Sequence, residues 1–333
     1  FPAGDAVRSS VAPSSNGVVF GSLDGRLTSL SIGHGRRRWV ASTRAPVVGS
    51  PAVHDGVVFV GSTDGGLYAF DERSGRQRWR FDTGGPLLAT PAVSGEVVCI
   101  GGNGMIWGVD RRTGRERWRV EAGSFFQSRA AVAGGVFFLG GWDNAVHAID
   151  AATGRRLWRT EMGRADGGRG ELSFRYAPAI ASPAVADGRV YIASNDGVLH
   201  ALDAATGNAV WTSRAPEGGD RLGHSSPLVA SGRVIVAGVG PNGDCYAFDA
   251  ATGALVWRRS TGAAIYEASP VLSGDRVVIG SAAGRLFWID AASGELRGSF
   301  GLPAGLLLGT PAVVDGRVVA ATMAGRVWAV SGP

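Results

Sequence analysis

An aspartate, a glycine four residues later and a tryptophan eight residues after the aspartate recur along most of the chain. One copy consists of Asp71, Gly75 and Trp79. The tryptophan position is filled six times, by Trp39, Trp79, Trp118, Trp158, Trp211 and Trp257. A period of about 40 residues is the size of one four-stranded blade of a β-propeller. The repeat therefore restricts the chain to an architecture of stacked, similar units.

The number of repeats follows from the position that opens each one. This position holds serine or threonine in every repeat but the fourth: Ser10, Ser50, Thr90, Arg129, Ser182, Ser226, Ser269 and Thr310. Within a repeat, an apolar run such as residues 57–60 leads to Asp64-Gly65, a dipeptide typical of tight hairpins. We predict an all-β fold, an eight-bladed β-propeller of four-stranded antiparallel blades. Residues 1–333 are expected to form one domain.

The eighth repeat lacks its fourth strand, because the sequence ends soon after Val330. Residues 1–4, Phe-Pro-Ala-Gly, align with residues 81–84, Phe-Asp-Thr-Gly, at the end of a fourth strand. We therefore expect the N-terminal strand to close the ring by completing the last blade, which removes an open sheet edge. The same alignment leads us to expect natural sequence before Phe1.

Arginine supplies every basic residue, and the formal net charge is +5. Arginines gather on the predicted outer strands of the first four blades, for example at Arg78 and Arg80. Charged outer strands prevent sheets from pairing with one another. The alternative is that they attract an anionic partner or membrane surface. A nucleic-acid partner is not expected, because no aromatic residues interleave with the arginines on the exposed face of these strands.

The two cysteines, Cys99 and Cys245, lie in apolar runs of distant repeats. This placement predicts two separate core thiols rather than a disulfide. The sequence shows no ligand spacing typical of a metal site. No apolar run is long enough for a membrane-spanning helix.

The run Asp-Ala-Ala-Thr-Gly followed by tryptophan occurs at residues 150–158, 203–211 and 249–257. It resembles the repeat of pyrroloquinoline-quinone-type, or quinoprotein-type, propellers. That family includes quinoprotein alcohol dehydrogenases, the propeller lipoprotein of the outer-membrane β-barrel assembly machine, and sensor propellers of bacterial Ser/Thr kinases. The resemblance implies that the repeat tryptophans dock between neighbouring blades. For a dehydrogenase it also implies an adjacent cysteine pair over the quinone and carboxylates on Ca²⁺. Cys99 and Cys245 cannot form such a pair, so we expect no cofactor and no metal.

The mouth of a propeller channel is surrounded by the residues just before the first strands. Two positions before the opening residue, the polar side chains include Gln127, His224 and Glu267. His224 and Glu267 belong to adjacent blades and form either an acid/base pair or a structural ion pair, since a carboxylate orients an imidazole and raises its pKa. Arg129 places a guanidinium where other repeats carry a hydroxyl. It is either an anion site, above all for a carboxylate, or an internal salt bridge or channel plug.

Inserted loops are predicted to lie on the same face as this mouth. The fifth repeat is preceded by an insertion at residues 164–176, and a smaller one is spread over residues 216–223 and 240–244. Long loops on one face usually shape a binding site. Trp142, Arg175, Tyr176 and Tyr266 are therefore candidate ligand contacts, or else parts of loops without a binding role.

Two functions fit these features. The first is a non-catalytic, extracytoplasmic and monomeric propeller, a scaffold or sensor domain. It would bind a protein partner or a small anionic ligand at the channel mouth and its long loops. The alternative is a metal- and quinone-independent enzyme for a small, partly apolar, anionic substrate. In that enzyme His224, Glu267 and Arg129 would carry out acid/base chemistry at the mouth.

Overall fold

The computed structural model describes residues 1–163, 181–194, 196–303 and 305–333. These residues form eight antiparallel sheets, each a meander of consecutive strands. This confirms the predicted eight-bladed β-propeller. No helix that could cross a membrane occurs in the described ranges.

The blades follow one another in chain order. Blades 1 to 4 contain the strands Ala12–Ser14, Gly17–Gly21, Arg26–Leu30 and Arg37–Ser42; Ala52–His54, Val57–Gly61, Gly66–Asp71 and Gln77–Asp82; Ala92–Ser94, Val97–Gly101, Asn103–Asp110 and Glu116–Phe125; and Ala131–Ala133, Val136–Gly141, Ala145–Asp150 and Arg156–Glu161. Blades 5 to 8 contain the strands Ala184–Ala186, Arg189–Ala193, Val198–Asp203 and Ala209–Arg214; Leu228–Ala230, Arg233–Ala237, Asp244–Asp249 and Leu255–Ser260; Val271–Ser273, Arg276–Gly280, Arg285–Asp290 and Leu296–Gly301; and Ala312–Val314, Arg317–Thr322 and Arg326–Ser331. The first strands of neighbouring blades lie against one another around the central channel.

The hydrophobic core is divided among the interfaces between blades. The second and third strands are almost fully buried, because each sheet packs against a neighbour on both faces. One cluster, for example, joins Val19 and Leu27 of blade 1 to Val58 and Phe70 of blade 2. A comparable cluster joins blade 8 to blade 1 and includes Ala3. Burial is therefore continuous around the ring.

The repeat tryptophans join each blade to the next, as the resemblance implied. The indole of Trp118 donates to the carbonyl of Ala151 over 2.9 Å, and its ring lies against Gly154. A Cβ atom at Gly154 would lie 2.7 Å from that ring. The same indole bond is made by the other five: Trp39 to Glu72, Trp79 to Arg111, Trp158 to Ala204, Trp211 to Ala250 and Trp257 to Ala291.

The N-terminal segment completes blade 8, as predicted. Pro2 pairs with Arg326, and the backbone of Phe1 exchanges two hydrogen bonds with Val327, of 2.8 and 2.9 Å. Gly66 and Asp82 hold the corresponding register in blade 2. The alignment of residues 1–4 with residues 81–84 is therefore correct in register.

Candidate functional site

Two faces of the ring can be distinguished by the loops that they carry. The connections from a fourth strand to the next first strand bond to the turns between second and third strands, as in the 3.1 Å bond from Leu87 N to Ser62 O. We call this side the loop face. The other turns meet on the opposite side, as in the 3.0 Å bond from Glu72 N to Gly56 O. We call that side the turn face.

A ring of hydroxyl groups surrounds the channel between these faces. Each opening serine or threonine accepts a hydrogen bond from the backbone N–H of the opening residue one blade earlier. The bonds run from Ser10 to Ser50 (2.8 Å), Ser50 to Thr90 (3.0 Å), Arg129 to Ser182 (3.0 Å), Ser182 to Ser226 (2.9 Å), Ser226 to Ser269 (2.9 Å), Ser269 to Thr310 (3.3 Å) and Thr310 to Ser10 (3.0 Å). The link from Thr90 to position 129 is missing, because Arg129 has no hydroxyl acceptor.

This ring separates two cavities along the channel. On the loop face lies a small cavity of about 130 Å³, whose lining includes Gln127, His224 and Glu267. On the turn-face side lies a cavity of about 940 Å³, lined by prolines, alanines and valines of the first strands. The opening residues, Arg129 among them, line both cavities. The channel is thus narrow and mainly polar at one end, and wide with a mixed apolar and polar lining at the other.

Arg129 stands at the boundary between the cavities. Its backbone N–H donates to Ser182, while its side chain is exposed within the channel. No carboxylate lies within ion-pair distance of the guanidinium among the residues that the structure describes. Desolvation by the surrounding blades lowers the pKa of Arg129, but arginine keeps its charge at neutral pH. The channel therefore contains a cation that no described acidic side chain neutralises.

The predicted mouth residues lie in one place, and one of them forms an ion pair with another blade. Gln127, His224 and Glu267 all line the small cavity. Glu267, however, forms an ion pair of 3.4 Å with Arg8 of blade 1. His224 is buried, with 7% of its surface exposed. The acid/base pairing of His224 with Glu267 stays a prediction, and the Arg8 contact supports a structural role for Glu267.

Two of the predicted loop contacts are exposed aromatic residues outside the cavities. Trp142 lies in a turn of blade 4, and its ring packs edge-on against Phe125, with 5.1 Å between ring centroids. Tyr266 lies in the connection to blade 7 and is 48% exposed. Both belong to the loop face. Arg175 and Tyr176, the other two candidates, lie outside the described residues.

Several loop-face turns are held by an aspartate that bonds an aromatic side chain in the following strand. In the blade 4 turn, Asp143 accepts from the buried His147 at 3.0 Å and from Arg159 at 2.9 Å. Burial alone would raise the pKa of Asp143, but these two partners outweigh it and lower that pKa. The same arrangement joins Asp64 to Tyr68 and Arg80. In blade 6, Asp244 at the start of the third strand bonds Tyr246 of the same strand and Arg258. The histidine is thus part of the packed framework.

The outer strands reveal residues that the sequence reading missed. Immediately before the repeat tryptophan, Arg78 and Arg117 pair with the repeat aspartates of their own blades at 2.7 and 2.6 Å. In three successive blades the same position is apolar and 36–45% exposed, at Leu157, Val210 and Val256. We call these three residues the apolar sector. Aligning the position before each tryptophan would have found it. Because Arg78 and Arg117 each pair with an aspartate of their own blade, the outer strands present less positive charge to an anionic surface.

The two cysteines lie in different blades. Cys99 and Cys245 are free and buried in different interblade clusters, as predicted. They do not form the adjacent pair of a quinone site. Within the described ranges, no three His, Cys, Asp or Glu side chains are grouped to hold a metal ion.

Comparisons with known proteins place the chain among propellers of this repeat type. A family model described as outer membrane protein assembly factor BamB matches residues 3–121, 102–241 and 241–332. BamB of Moranella endobia is 32% identical over 110 residues, which are 33% of this chain and 26% of that protein. The dehydrogenase subunit of a quinone alcohol dehydrogenase from Gluconobacter oxydans is 40% identical over 83 residues, 22% of this chain and 11% of that protein. The aligned parts are thus small shares of both relatives.

Solved structures show the same fold over nearly the whole chain. BamB from Moraxella catarrhalis superposes with a TM-score of 0.80 at 24% identity, covering 96% of this chain and 95% of that one. Quinohemoprotein alcohol dehydrogenase from Comamonas testosteroni gives a TM-score of 0.75 at 15% identity, covering 95% of this chain and 70% of that one. The matched family model spans nearly every blade, from residue 3 to residue 332. The chain therefore belongs to the family of outer membrane protein assembly factor BamB.

Proposed function

We propose that the chain is a non-catalytic scaffold propeller that binds a protein partner outside the cytoplasm, through its loop face. Membership of a family described as an outer membrane protein assembly factor supports both the partner class and the location. The observation that carries the choice of face is the pair of exposed aromatic residues, Trp142 and Tyr266. Tryptophan and tyrosine are enriched among the residues that dominate binding energy at protein interfaces.

The surroundings of these aromatics support a preformed binding surface. The Trp142 ring rests on Phe125, and the backbone N–H of Trp142 donates to Phe125 O over 3.0 Å. Tyr266 follows the buried Ile265, whose backbone pairs with Gly240. Residues held in this way lose little conformational freedom when a partner covers them. Trp142 and Tyr266 therefore offer two rigid anchors on the loop face.

The acid/base alternative has weaker support from the same geometry. Arg129, His224 and Glu267 line one cavity of about 130 Å³, but Glu267 is engaged by Arg8. A cavity of about 150 Å³ can hold benzene, so this volume restricts a substrate to a small molecule. A scaffold needs no such substrate space, and its partner would cover the mouth from outside.

The test compares the loop face with the apolar sector. A photo-crosslinking amino acid is placed at position 142, 266 or 210, and each variant is used to capture a partner from a bacterial envelope extract. The captured partner is identified. Its affinity for the chain is then measured with purified proteins. We expect crosslinks from 142 and 266, and an affinity at least about tenfold weaker for Trp142→Ser/Tyr266→Ser. Val210→Ser/Val256→Ser is the matched control, since it removes two exposed apolar side chains from the apolar sector. Loss of binding in the control variant with full binding by the loop-face variant would overturn the proposal.

A further inference from the structure

The larger cavity on the turn-face side combines apolar side chains with polar surface of similar extent. The first strands contribute mainly proline, alanine and valine, together with the exposed side chains Val132 and Leu272. At about 940 Å³, it falls within the range of pockets that enclose small organic ligands. Covering an apolar ligand body with these side chains lowers the free energy of the complex, because apolar surface is removed from water.

The floor of this cavity is the hydroxyl ring with Arg129 in it. Arg129 is the only charged residue among the described residues that line the cavity. The remaining floor is made of serine and threonine side chains, which donate or accept hydrogen bonds. A planar guanidinium presents parallel N–H donors that match the two oxygens of a carboxylate.

A purely structural role does not explain why arginine replaces serine or threonine at position 129. In the other blades the opening residue accepts an N–H from its neighbour, and substitution by arginine forfeits the bond from Thr90. No described carboxylate compensates by pairing with Arg129. The position thus loses an interblade link and gains a channel-facing cation without a described carboxylate partner, which fits a group retained for an anion from outside the chain.

We propose that the turn-face cavity binds a carboxylate attached to an apolar body, with the carboxylate on Arg129 and the body along the first strands. A free aliphatic or aromatic carboxylic acid has this chemistry, and so does the C-terminal carboxylate of a peptide that ends in apolar residues. The site lies on the opposite side of the hydroxyl ring from the loop face. It goes beyond the proposed function and does not depend on it.

Calorimetric titration of the purified chain tests this site with two probes. The first is 4-phenylbutyrate, compared with 4-phenylbutanol, which has the same body without the charge. The second is the peptide acetyl-Ala-Val-Leu-Phe with a free C-terminus, compared with its C-terminal amide. We expect at least one acid to bind and its neutral counterpart to bind at least about tenfold more weakly. Binding of phenylbutyrate alone identifies a small acid as the source, and binding of the peptide acid alone identifies a protein terminus. Absence of binding by both acids would overturn the proposal.

Variants at Arg129 separate binding from folding. Arg129→Ser installs the residue type of seven other blades, so it should fold with an unchanged or higher melting temperature while losing at least about tenfold in affinity. Arg129→Lys should bind more weakly than the parent chain but more tightly than Arg129→Ser, because it keeps the charge and loses the paired N–H donors. Arg119→Ser, on an outer strand, is the control for loss of one positive charge. If Arg129→Ser bound the acid as tightly as the parent chain, or more tightly, Arg129 would be a channel plug and the site would be excluded.

A second pair of variants determines which cavity is used. Val132→Trp fills space in the turn-face cavity, whereas Leu308→Trp fills space in the loop-face cavity. We expect the first to abolish binding and the second to preserve it. Loss of binding in Leu308→Trp alone would place the ligand on the loop face and contradict the proposal. Because these titrations use no protein partner, their failure is distinguishable from failure of the scaffold function.

Discussion

The backbone N–H of Thr310, in the last blade, donates to the hydroxyl of Ser10, in the first, over 3.0 Å. This bond closes the hydroxyl ring around the channel. Far outside it, Phe1 closes the same pair of blades through its bonds to Val327. Blades 8 and 1 are therefore joined by hydrogen bonds both at the channel and at the outer edge of the propeller. Positions where the hydroxyl ring is intact can be compared with Arg129, where it is interrupted.

Loss of one hydroxyl from the ring should lower stability measurably. In Ser226→Ala, the backbone N–H of Ser182 loses its acceptor. We expect the free energy of unfolding to fall by about 1 kcal/mol, as measured by urea denaturation. Ser226→Thr should be nearly neutral, because threonine already fills this role at Thr90 and Thr310. Equal destabilisation by both substitutions would contradict a role for the hydroxyl.

The contact of Trp118 with Gly154 should make that glycine intolerant of any side chain. Gly154 has a φ of +74°, and a Cβ there would lie 2.7 Å from the indole. Gly188 has a similar φ of +71° but open space around it. We expect Gly188→Ala to cost about 1 kcal/mol through backbone strain alone, and Gly154→Ala to cost a further 1–3 kcal/mol or so through overpacking. Equal melting temperatures for the two variants would show that the indole contact is unimportant.

Acid should weaken the fold partly through Asp244. Burial alone would raise its pKa, but hydrogen bonds from Arg258, the Asp220 backbone and Tyr246 outweigh burial and lower it. Because the folded-state pKa lies below the unfolded value of about 3.9, the stabilisation is complete above about pH 4 and is lost as the pH falls through the folded value. Urea unfolding from about pH 7 down to about pH 2 should therefore show a shallower acid loss for Asp244→Asn. The exposed Asp275, changed to Asn, serves as control, and an unchanged pH profile for Asp244→Asn would refute the assignment.

The two thiols should be inert in the folded protein. Burial raises the pKa of Cys99, and it raises the pKa of Cys245 to about 12. We expect neither thiol to react with an aromatic disulfide reagent until denaturant is added, because only the exposed thiolate reacts readily. Prompt labelling of one thiol under native conditions would show that its blade interface opens.

The architecture could be read from the sequence because its determinants are local and repeated. The spacing from Asp150 to Trp158 places the indole on the next blade wherever it recurs, so five copies support one conclusion. The closure was also visible, since residues 1–4 repeat the end of an earlier fourth strand. Both signals lie in short stretches of sequence, in which the spacing of a few residues fixes their position in the blade.

The candidate site was less predictable because its contacts cross the ring. Glu267 was matched with His224 on the adjacent blade, but it contacts Arg8, with blade 8 lying between their blades. The repeat pattern alone does not predict which side chains on non-adjacent blades come into contact across the channel. The hydroxyl ring could not be predicted either, because the role of serine at the opening position depends on a backbone N–H of the neighbouring blade. Arg129 was noticed by its departure, whereas the bond that it forfeits required the structure.

The pairing of the N-terminal segment with blade 8 also has a kinetic consequence. Phe1 and Val327 are 326 residues apart, whereas Ser10 and Ser50, in adjacent blades, are 40 apart. Eightfold greater separation corresponds to three doublings of loop length and to about 2 kcal/mol more closure entropy for a flexible chain. During synthesis, residues 1–3 are made before blade 8 and cannot pair until that blade is complete. The backbone of this segment therefore stays available to wrong partners until blade 8 has formed.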